Sequence, residues 1–172
     1  MPSQQALLAE IPRLRRYARA LTGDAARADD LVQDTLERAL GKWLLWRPGN
    51  LRAWLMTMMH NLFVNEVRAA SAIEYRDDGD LPEAAVRARQ TDGLELRDLD
   101  RALQALPAEQ REVLLLVGLE DLAYEEVARI TGVPVGTVMS RLSRARGRLR
   151  GLLSGVTPHP TTSGAPHLRV VK

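Results

Sequence analysis

The residues best suited to chemistry lie near the C-terminal end of the sequence, in a helical repeat that carries arginines and no acids. From Pro134 to Arg150 every charge is positive. At about 100° per residue, five side chains cluster opposite the apolar positions and two more flank them. We call this set the arginine face; it comprises Thr137, Ser140, Arg141, Arg144 and Arg148, with Arg146 and Arg150 at its edges.

Arginine forms bidentate hydrogen bonds with guanine, and Ser, Thr and Arg all bind phosphate oxygens. The arginine face therefore predicts contact with the major groove of duplex DNA. The competing interpretation is a solvated helix near a chain end, but a merely solvated face usually mixes the two signs of charge.

The elements around this face have the order of a helix-turn-helix. Val127 and Ile130 form the inner side of a short helix, and Gly132 suits a left-handed turn. Pro134 then begins a second helix whose apolar positions return to the same core. These positions are Val138, Leu142, Ala145 and Leu149.

A second patterned helix has the opposite charge. In DDLVQDTLERAL, the side chains predicted to point inward are Val32, Leu36, Ala39 and Leu40. The opposite side, which we call the acidic face, consists of Asp30, Gln33, Asp34 and Glu37. Acids repel phosphate, so this face is either solvated or reserved for a protein partner, and solvation is the simpler interpretation from the pattern alone.

A third helix places two amides and a base on one side, away from its Leu/Met stripe. Asn61, Asn65 and Arg68 follow at i, i+4 and i+7 and form what we call the asparagine face. Such groups can bond the base edges of single-stranded or melted DNA, although from the spacing alone ordinary surface polarity is the better explanation. The three tryptophans are expected to pack between helices, and His60 is expected to be a partly exposed filler.

The composition excludes several classes of function. There is no cysteine and only three histidines, so neither a thiolate nor a His-rich metal site is expected, and no cofactor is indicated. No phosphate loop or catalytic constellation is present, which predicts a protein that is not an enzyme and has no small-molecule substrate. The sequence has neither a signal peptide pattern nor a long apolar run, which favours the cytoplasm.

The apolar residues are mostly Leu, Val and Ala, which favours an all-α fold of two small helical domains. Helices are predicted over 5–21, 25–46 and 50–70 for a three-helix domain at 1–70. Four more, over 95–106, 108–118, 123–131 and 135–153, build a domain at 94–153. Between them, 71–93 is predicted to be a flexible acidic linker, and 154–172 a disordered tail.

Together, three segments resemble the extracytoplasmic-function (ECF) sigma factors of bacterial RNA polymerase. They are DDLVQDTLERAL, LRAWLMTMMHNLFVNEVR and LPAEQREVLLLVGLEDLAYEEVARITGVPVGTVMSRLSRARGRL. The resemblance covers about 5–153 and keeps the family's order and spacing. It implies a σ2 domain, a linker and a σ4 domain.

The resemblance also implies a role for each face. The acidic face matches the segment that docks on the β′ coiled coil of core RNA polymerase, while the β flap is a further contact. Asn61 matches the position beside the pocket for a flipped base of the −10 promoter element, with Asn65 and Arg68 on the same face. The arginine face without Arg150 matches the reader of the −35 element; these residues are Thr137, Ser140, Arg141, Arg144, Arg146 and Arg148. Members of the family are usually controlled by an anti-sigma factor.

Three positions depart from the family's commoner pattern. Met139 stands where a basic residue is frequent, Ser143 where a bulkier side chain is common, and His60 where a small residue often precedes the asparagine. The promoter sequence therefore cannot be inferred from relatives. Two alternatives follow from the residues alone: an autonomous helix-turn-helix regulator of transcription, and a helical adaptor that binds only proteins.

Overall fold

The computed structural model describes residues 3–74 and 94–155, which form seven α-helices and one short 3-10 turn. The N-terminal unit contains α1 (Gln4–Thr22), α2 (Ala25–Gly41), the 3-10 turn (Trp43–Leu45) and α3 (Leu51–Glu74). The C-terminal unit contains α4 (Leu94–Gln104), α5 (Ala108–Gly118), α6 (Tyr124–Thr131) and α7 (Val135–Leu153). The predicted all-α fold is confirmed, and α5 and α7 have the predicted bounds.

The predicted helix over 25–46 is wrong at its C-terminal end. The α-helix stops at Gly41, and the N–H of Lys42 bonds the carbonyls of Arg38 and Ala39 before the chain turns. The turn brings Trp43 edge-to-face against Trp54, with ring centroids 6.5 Å apart. Because this aromatic contact redirects the chain, Leu40 is not inward as predicted but 59% exposed.

The third helix continues beyond its predicted end at residue 70. It reaches Glu74 through a run rich in alanine, the best helix former, and Ser71 donates a hydrogen bond to the carbonyl of Val67. The first four residues assigned to the linker are therefore helical. Residues 75–93 and 156–172, which hold the rest of the predicted linker and nearly all of the predicted tail, lie outside the described residues.

Side-chain caps fix where the N-terminal helices begin. Ser3, Asp24 and Asn50 each accept a hydrogen bond from a backbone N–H three residues later, at 3.1, 2.8 and 3.2 Å. Such caps satisfy donors that the helix itself cannot pair. The N-cap predicted at Asn50 is confirmed.

The two units pack against each other over one continuous apolar core. Helix α3 contacts α6, and α1 contacts both α4 and α5. The buried cluster runs from Leu14 and Met59 in the N-terminal unit to Leu116 and Val127 in the C-terminal unit. The packing of the two units sets which polar faces reach solvent.

Candidate nucleic-acid interface

The helix-turn-helix forms as the sequence predicts. Helix α6 ends at Gly132, whose φ of 70° is in the left-handed region and whose N–H bonds the carbonyl of Ala128. Only glycine adopts this conformation without strain. Val127, Val138 and Leu142 are buried where the two helices meet, which fixes the exposed side of α7.

The arginine face lies on that exposed side, but its members are not equivalent. Arg144, Arg146, Arg148 and Arg150 are exposed, and none of them forms an ion pair within the part of the chain that the structure describes. Thr137 and Ser140 are half-buried, and the Ser140 hydroxyl donates to the carbonyl of Thr137 at 3.0 Å. These four exposed arginines are therefore the groups most available to a nucleic acid.

Arg141 is held by a neighbouring helix. Its Nη2 lies 3.1 Å from Oε2 of Glu109 in the first turn of α5, and the side chain is 22% exposed. The sequence alone did not predict this ion pair, because the two residues lie on different helices. The ion pair holds α5 against α7. The guanidinium of Arg141 is therefore less available to DNA than those of the exposed arginines of α7.

Two exposed side chains of α7 stand outside the predicted set. Met139 is 53% exposed and Ser143 is exposed, one turn apart. With Tyr124, Arg146 and Arg150 they line a shallow cavity of about 220 Å³. An apolar and a small polar group beside arginines can contact a thymine methyl or a base edge. In the sequence, the signal for Met139 and Ser143 is that both lie between residues predicted to contact DNA.

The acidic face is exposed along α2. Asp30, Gln33, Asp34 and Glu37 all reach solvent, and the Gln33 amide donates to Glu37 Oε1 at 2.9 Å. Beyond it, Leu40 and the neighbouring Leu44 and Leu45 are also exposed, the last two by 83% and 75%. The sequence did not predict that an apolar patch adjoins the acids, since it depends on where α2 ends.

The asparagine face is exposed on the second half of α3. Asn61, Asn65 and Arg68 reach solvent on one side of the helix. Between them Glu66 Oε1 binds both Nε and Nη2 of Arg27 at 3.0 Å, which ties α3 to the start of α2. The ion pair therefore fixes the helix that carries the amides of this face.

His60, the residue before Asn61, points into the contact between the two units. Its Nδ1 lies 2.6 Å from Oε1 of Glu112 on α5, and both side chains are largely buried. We expected His60 only to fill space at a partly exposed position, but it makes a specific polar contact with Glu112. No local pattern predicts this contact, because the partners are 52 residues apart.

A second buried acid, Glu120, follows α5. Its side chain is fully buried; the nearest cations are Arg13 at 4.0 Å and Arg16 at 3.8 Å, both on α1. Among the residues that the structure describes, neither carboxylate oxygen has a hydrogen-bond partner. Burial raises the pKa of Glu120 above its ordinary value, and the nearby arginines oppose this only in part.

Two neighbouring groups also have shifted pKa values. Burial raises the pKa of Tyr17 well above its ordinary range, and the carboxylates of Glu112 and Glu120 raise it further. Burial lowers the pKa of Arg111, whose Nη1 donates to Gln104 Oε1 at 2.6 Å. These polar groups are concentrated between the two units, away from the three exposed faces.

Within residues 3–74 and 94–155, no group of three or more His, Asp or Glu side chains is placed to hold a metal ion. No helix in the same ranges is long and apolar enough to cross a membrane.

Comparison with protein families divides the chain in two. The model described as the Sigma2 domain of PhyR matches residues 7–60, and sigma-70 region 4 matches residues 96–149. The first match includes the acidic face and ends one residue before Asn61. The second includes the whole arginine face except Arg150.

Individual proteins give similarity over nearly the full length. The chain is 44% identical over 149 residues to the ECF RNA polymerase sigma factor EcfG of Rhodopseudomonas palustris, covering 86% of this chain and 82% of the relative. It is 36% identical to the ECF RNA polymerase sigma factor SigL of Mycobacterium tuberculosis, covering 84% and 85%.

A solved structure is also similar. It is that of the sigma factor RpoE in complex with the anti-sigma factor NepR from Bartonella quintana, at 40% identity and a TM-score of 0.78. The similarity covers 88% of this chain and 96% of RpoE.

Proposed function

Because the chain belongs to the ECF family of RNA polymerase sigma factors, a class of transcription initiation factors, we propose that its three exposed faces divide the work of promoter recognition. The arginine face reads the −35 element, the asparagine face binds the −10 element, and the acidic face docks on core polymerase. The separation of charge carries this proposal: α7 bears only positive charge, whereas the exposed face of α2 is acidic.

The −35 contact combines phosphate binding and base reading. Each arginine that neutralises a phosphate releases counterions, which gives affinity without sequence preference. Specificity then comes from the few side chains that reach base edges. Arg144 supplies such a contact, while Arg146, which lies beside Met139 and Ser143, and Arg148 bind the backbone.

The −10 contact requires a different chemistry. Extruding a base costs a few kcal/mol of stacking and pairing, which a fitted pocket offsets. Amides suit this task because each offers both a donor and an acceptor to a base edge. Asn61 and Asn65 take this role on α3, and Arg68 binds the adjacent phosphate.

The acidic face selects a protein and not DNA. Its carboxylates repel phosphate, and with exposed Leu40 beside them they suit a partner surface of basic and apolar side chains, such as the β′ coiled coil. An anti-sigma factor is a further partner of this chain, as NepR is for RpoE. This activity involves binding without covalent chemistry and places the protein in the cytoplasm with RNA polymerase.

The direct test is run-off transcription with purified core polymerase on genomic fragments, followed by mapping of the start sites. We expect start sites that share two upstream elements at a fixed spacing. The alternative, an autonomous helix-turn-helix regulator, predicts tight binding of the chain alone to a palindromic duplex and no co-elution with core polymerase. That result would reject the proposed function.

A further inference from the structure

Helix α7 carries an exposed methionine among its arginines. Met139 lies in the second turn of α7, directly after the buried Val138, and its side chain is 53% exposed. Every charge around it, from Pro134 to Arg150, is positive. A single exposed apolar side chain is common on protein surfaces and by itself needs no partner. The surroundings of Met139 therefore decide whether this side chain has a function.

The buried positions of α7 leave two edges of the helix beside its neighbours. One edge lies toward α5, where Glu109 binds Arg141. The other lies toward Tyr124, the first residue of α6, and we call it the methionine edge. Its members, spaced three or four positions apart and so stacked along one side of the helix, are Met139, Ser143, Arg146 and Arg150.

The order of residues along the methionine edge matches the order of groups in a DNA groove. In a helix-turn-helix, the N-terminal residues of the second helix meet base edges, while the first helix crosses the phosphate backbone. Met139 lies in the N-terminal third of α7, whereas Arg146 and Arg150 follow in its second half. Met139 is therefore at the level of the bases, and the two arginines are available to phosphates.

The shallow cavity of about 220 Å³ on this edge leaves room beside Met139 for an incoming group. The small side chain of Ser143 keeps the cavity open, and Leu142 adds apolar surface to it. Nε of Arg150 donates to the carbonyl of Arg146 at 3.3 Å, which holds its guanidinium along the edge. None of the described residues that line the cavity is acidic. Such a surface suits an anionic ligand that presents a small apolar group.

Thymine in duplex DNA fits this description. Its C5-methyl is the apolar group that a base pair presents in the major groove, and phosphates border the groove on both sides. Methionine is unbranched and has three rotatable bonds, so its thioether adapts to the shape of a small apolar partner. A basic residue at position 139 would bind guanine or phosphate instead.

Resting on the proposed function, we infer that Met139 determines specificity in the −35 contact, where its side chain packs on the C5-methyl of a thymine and thereby selects a T·A pair. Arg146 and Arg150 bind the phosphates beside that base pair. One position of the −35 element is thus recognised by an apolar contact and not by a hydrogen bond.

Deoxyuridine isolates the methyl group, because it pairs with adenine as thymine does and lacks only the C5-methyl. Start sites mapped by run-off transcription with core polymerase define the upstream element. In duplexes of such a promoter, each thymine of this element, on either strand, is replaced in turn by deoxyuridine. Fluorescence anisotropy then measures binding of the polymerase-bound chain. At one position we expect the replacement to weaken binding about fourfold, the effect of burying one methyl group.

Variants at position 139 assign the effect to this side chain. Met139→Ala should bind the thymine and deoxyuridine duplexes equally at that position, whereas Met139→Leu should keep most of the difference. Met139→Lys should lose the difference and steepen the salt dependence of binding by about one unit, because it adds a phosphate contact. Leu153→Ala, which truncates an exposed apolar residue at the end of α7, is the matched control and should keep the wild-type ratio. Circular dichroism checks that each variant retains its helix content.

The outcomes separate this inference from the proposed function. Equal binding of thymine and deoxyuridine duplexes by the wild-type chain at every position overturns the role of Met139, and so does an upstream element without a T·A pair. A fourfold difference that persists in Met139→Ala assigns the methyl contact to another side chain and also overturns it. In these cases transcription from the mapped promoters leaves the proposed function intact. If the wild-type chain initiates with core polymerase at no genomic fragment, the proposed function is overturned, and the role of Met139 with it.

Discussion

At the scale of single residues, exposure separates groups that the sequence pattern treats alike. Arg141 and Arg144 lie on the same face of α7, yet Arg141 is paired with Glu109, whereas Arg144 forms no ion pair with any residue in 3–74 or 94–155. Truncating Arg141 therefore alters both DNA contact and the packing of α5. Arg144 is the cleaner probe of base reading.

Arg144→Ala should weaken −35 binding by about 1–3 kcal/mol and relax the preference at one base pair, because a bidentate contact is lost. The measurement is fluorescence anisotropy of the polymerase-bound chain with −35 duplexes that vary at single positions. Arg15→Ala, an exposed arginine of α1, is the control and should leave binding unchanged. A uniform loss over all sequences would mean that Arg144 binds phosphate.

Asn61→Ala should impair promoter opening more than duplex binding, because its amide acts on an extruded base. Permanganate footprinting of the closed promoter should show less strand opening than with the wild-type chain. A pre-melted template should largely remove this defect. Gln5→Ala, which removes an exposed amide of α1, serves as the control. The assignment of Asn61 is wrong if the variant is equally defective on both templates.

At the scale of elements, the function of each helix depends on where it begins, ends and turns. Helix α2 ends at Gly41, which exposes Leu40 beside the acidic face, and Gly132 sets the angle between α6 and α7. Both features are local, and both decide which side chains a partner meets.

Reversing Asp30 and Asp34 to Lys should lower the affinity for core polymerase severalfold or more, since like charges then face a basic partner. Co-elution and fluorescence titration with core polymerase measure this. Asp29→Lys combined with Glu125→Lys, which reverses two exposed acids outside the acidic face, controls for net charge. Unchanged affinity would show that the acidic face is only solvated.

Gly132→Ala should destabilise the chain by about 1–2 kcal/mol, because a Cβ is unfavourable at a φ of 70°. A Cβ at this position meets no atom within 4 Å, so the cost is conformational. Gly136→Ala, in the first turn of α7, is the matched control and should stabilise by up to about 1 kcal/mol. Urea unfolding compares the two, and similar effects would contradict this account.

At the scale of the whole molecule, the polar contacts between the units determine how the chain responds to pH. Glu120 is buried by residues of both units, and burial raises its pKa in the folded chain. A raised pKa in the folded chain means that the folded chain binds this proton more tightly than the unfolded chain does. The corresponding stability is fully present below the ordinary value of 4.5 and is lost as the pH rises through the raised pKa.

Glu120→Gln should remove this part of the pH dependence. The variant is expected to unfold at a higher temperature than the wild-type chain at pH 8, with the difference shrinking toward pH 4. Thermal unfolding followed by circular dichroism over this range measures it. Glu125→Gln, which changes an exposed acid of α6, is the control. Parallel profiles for wild type and Glu120→Gln would contradict the assignment.

The sequence by itself determined the helices, the helix-turn-helix and the signs of the three faces. These depend on interactions between neighbours three or four positions apart, so Gly132, Asn50 and the apolar stripe through Val138 are sufficient to predict them. The charges of α2 and α7 are likewise fixed by composition within one helix.

Only the tertiary structure decided which polar groups are buried and which surfaces are covered. Glu112 and Glu120 lie in or beside an apolar stretch with no partner nearby in the sequence, and their partners His60, Arg13 and Arg16 come from α1 and α3. Burial depends on contacts between distant segments, so local periodicity could not predict it. For the same reason, only the packed chain shows that α6 lies beside Trp54 and Thr57, which precede Asn61 on the same side of α3.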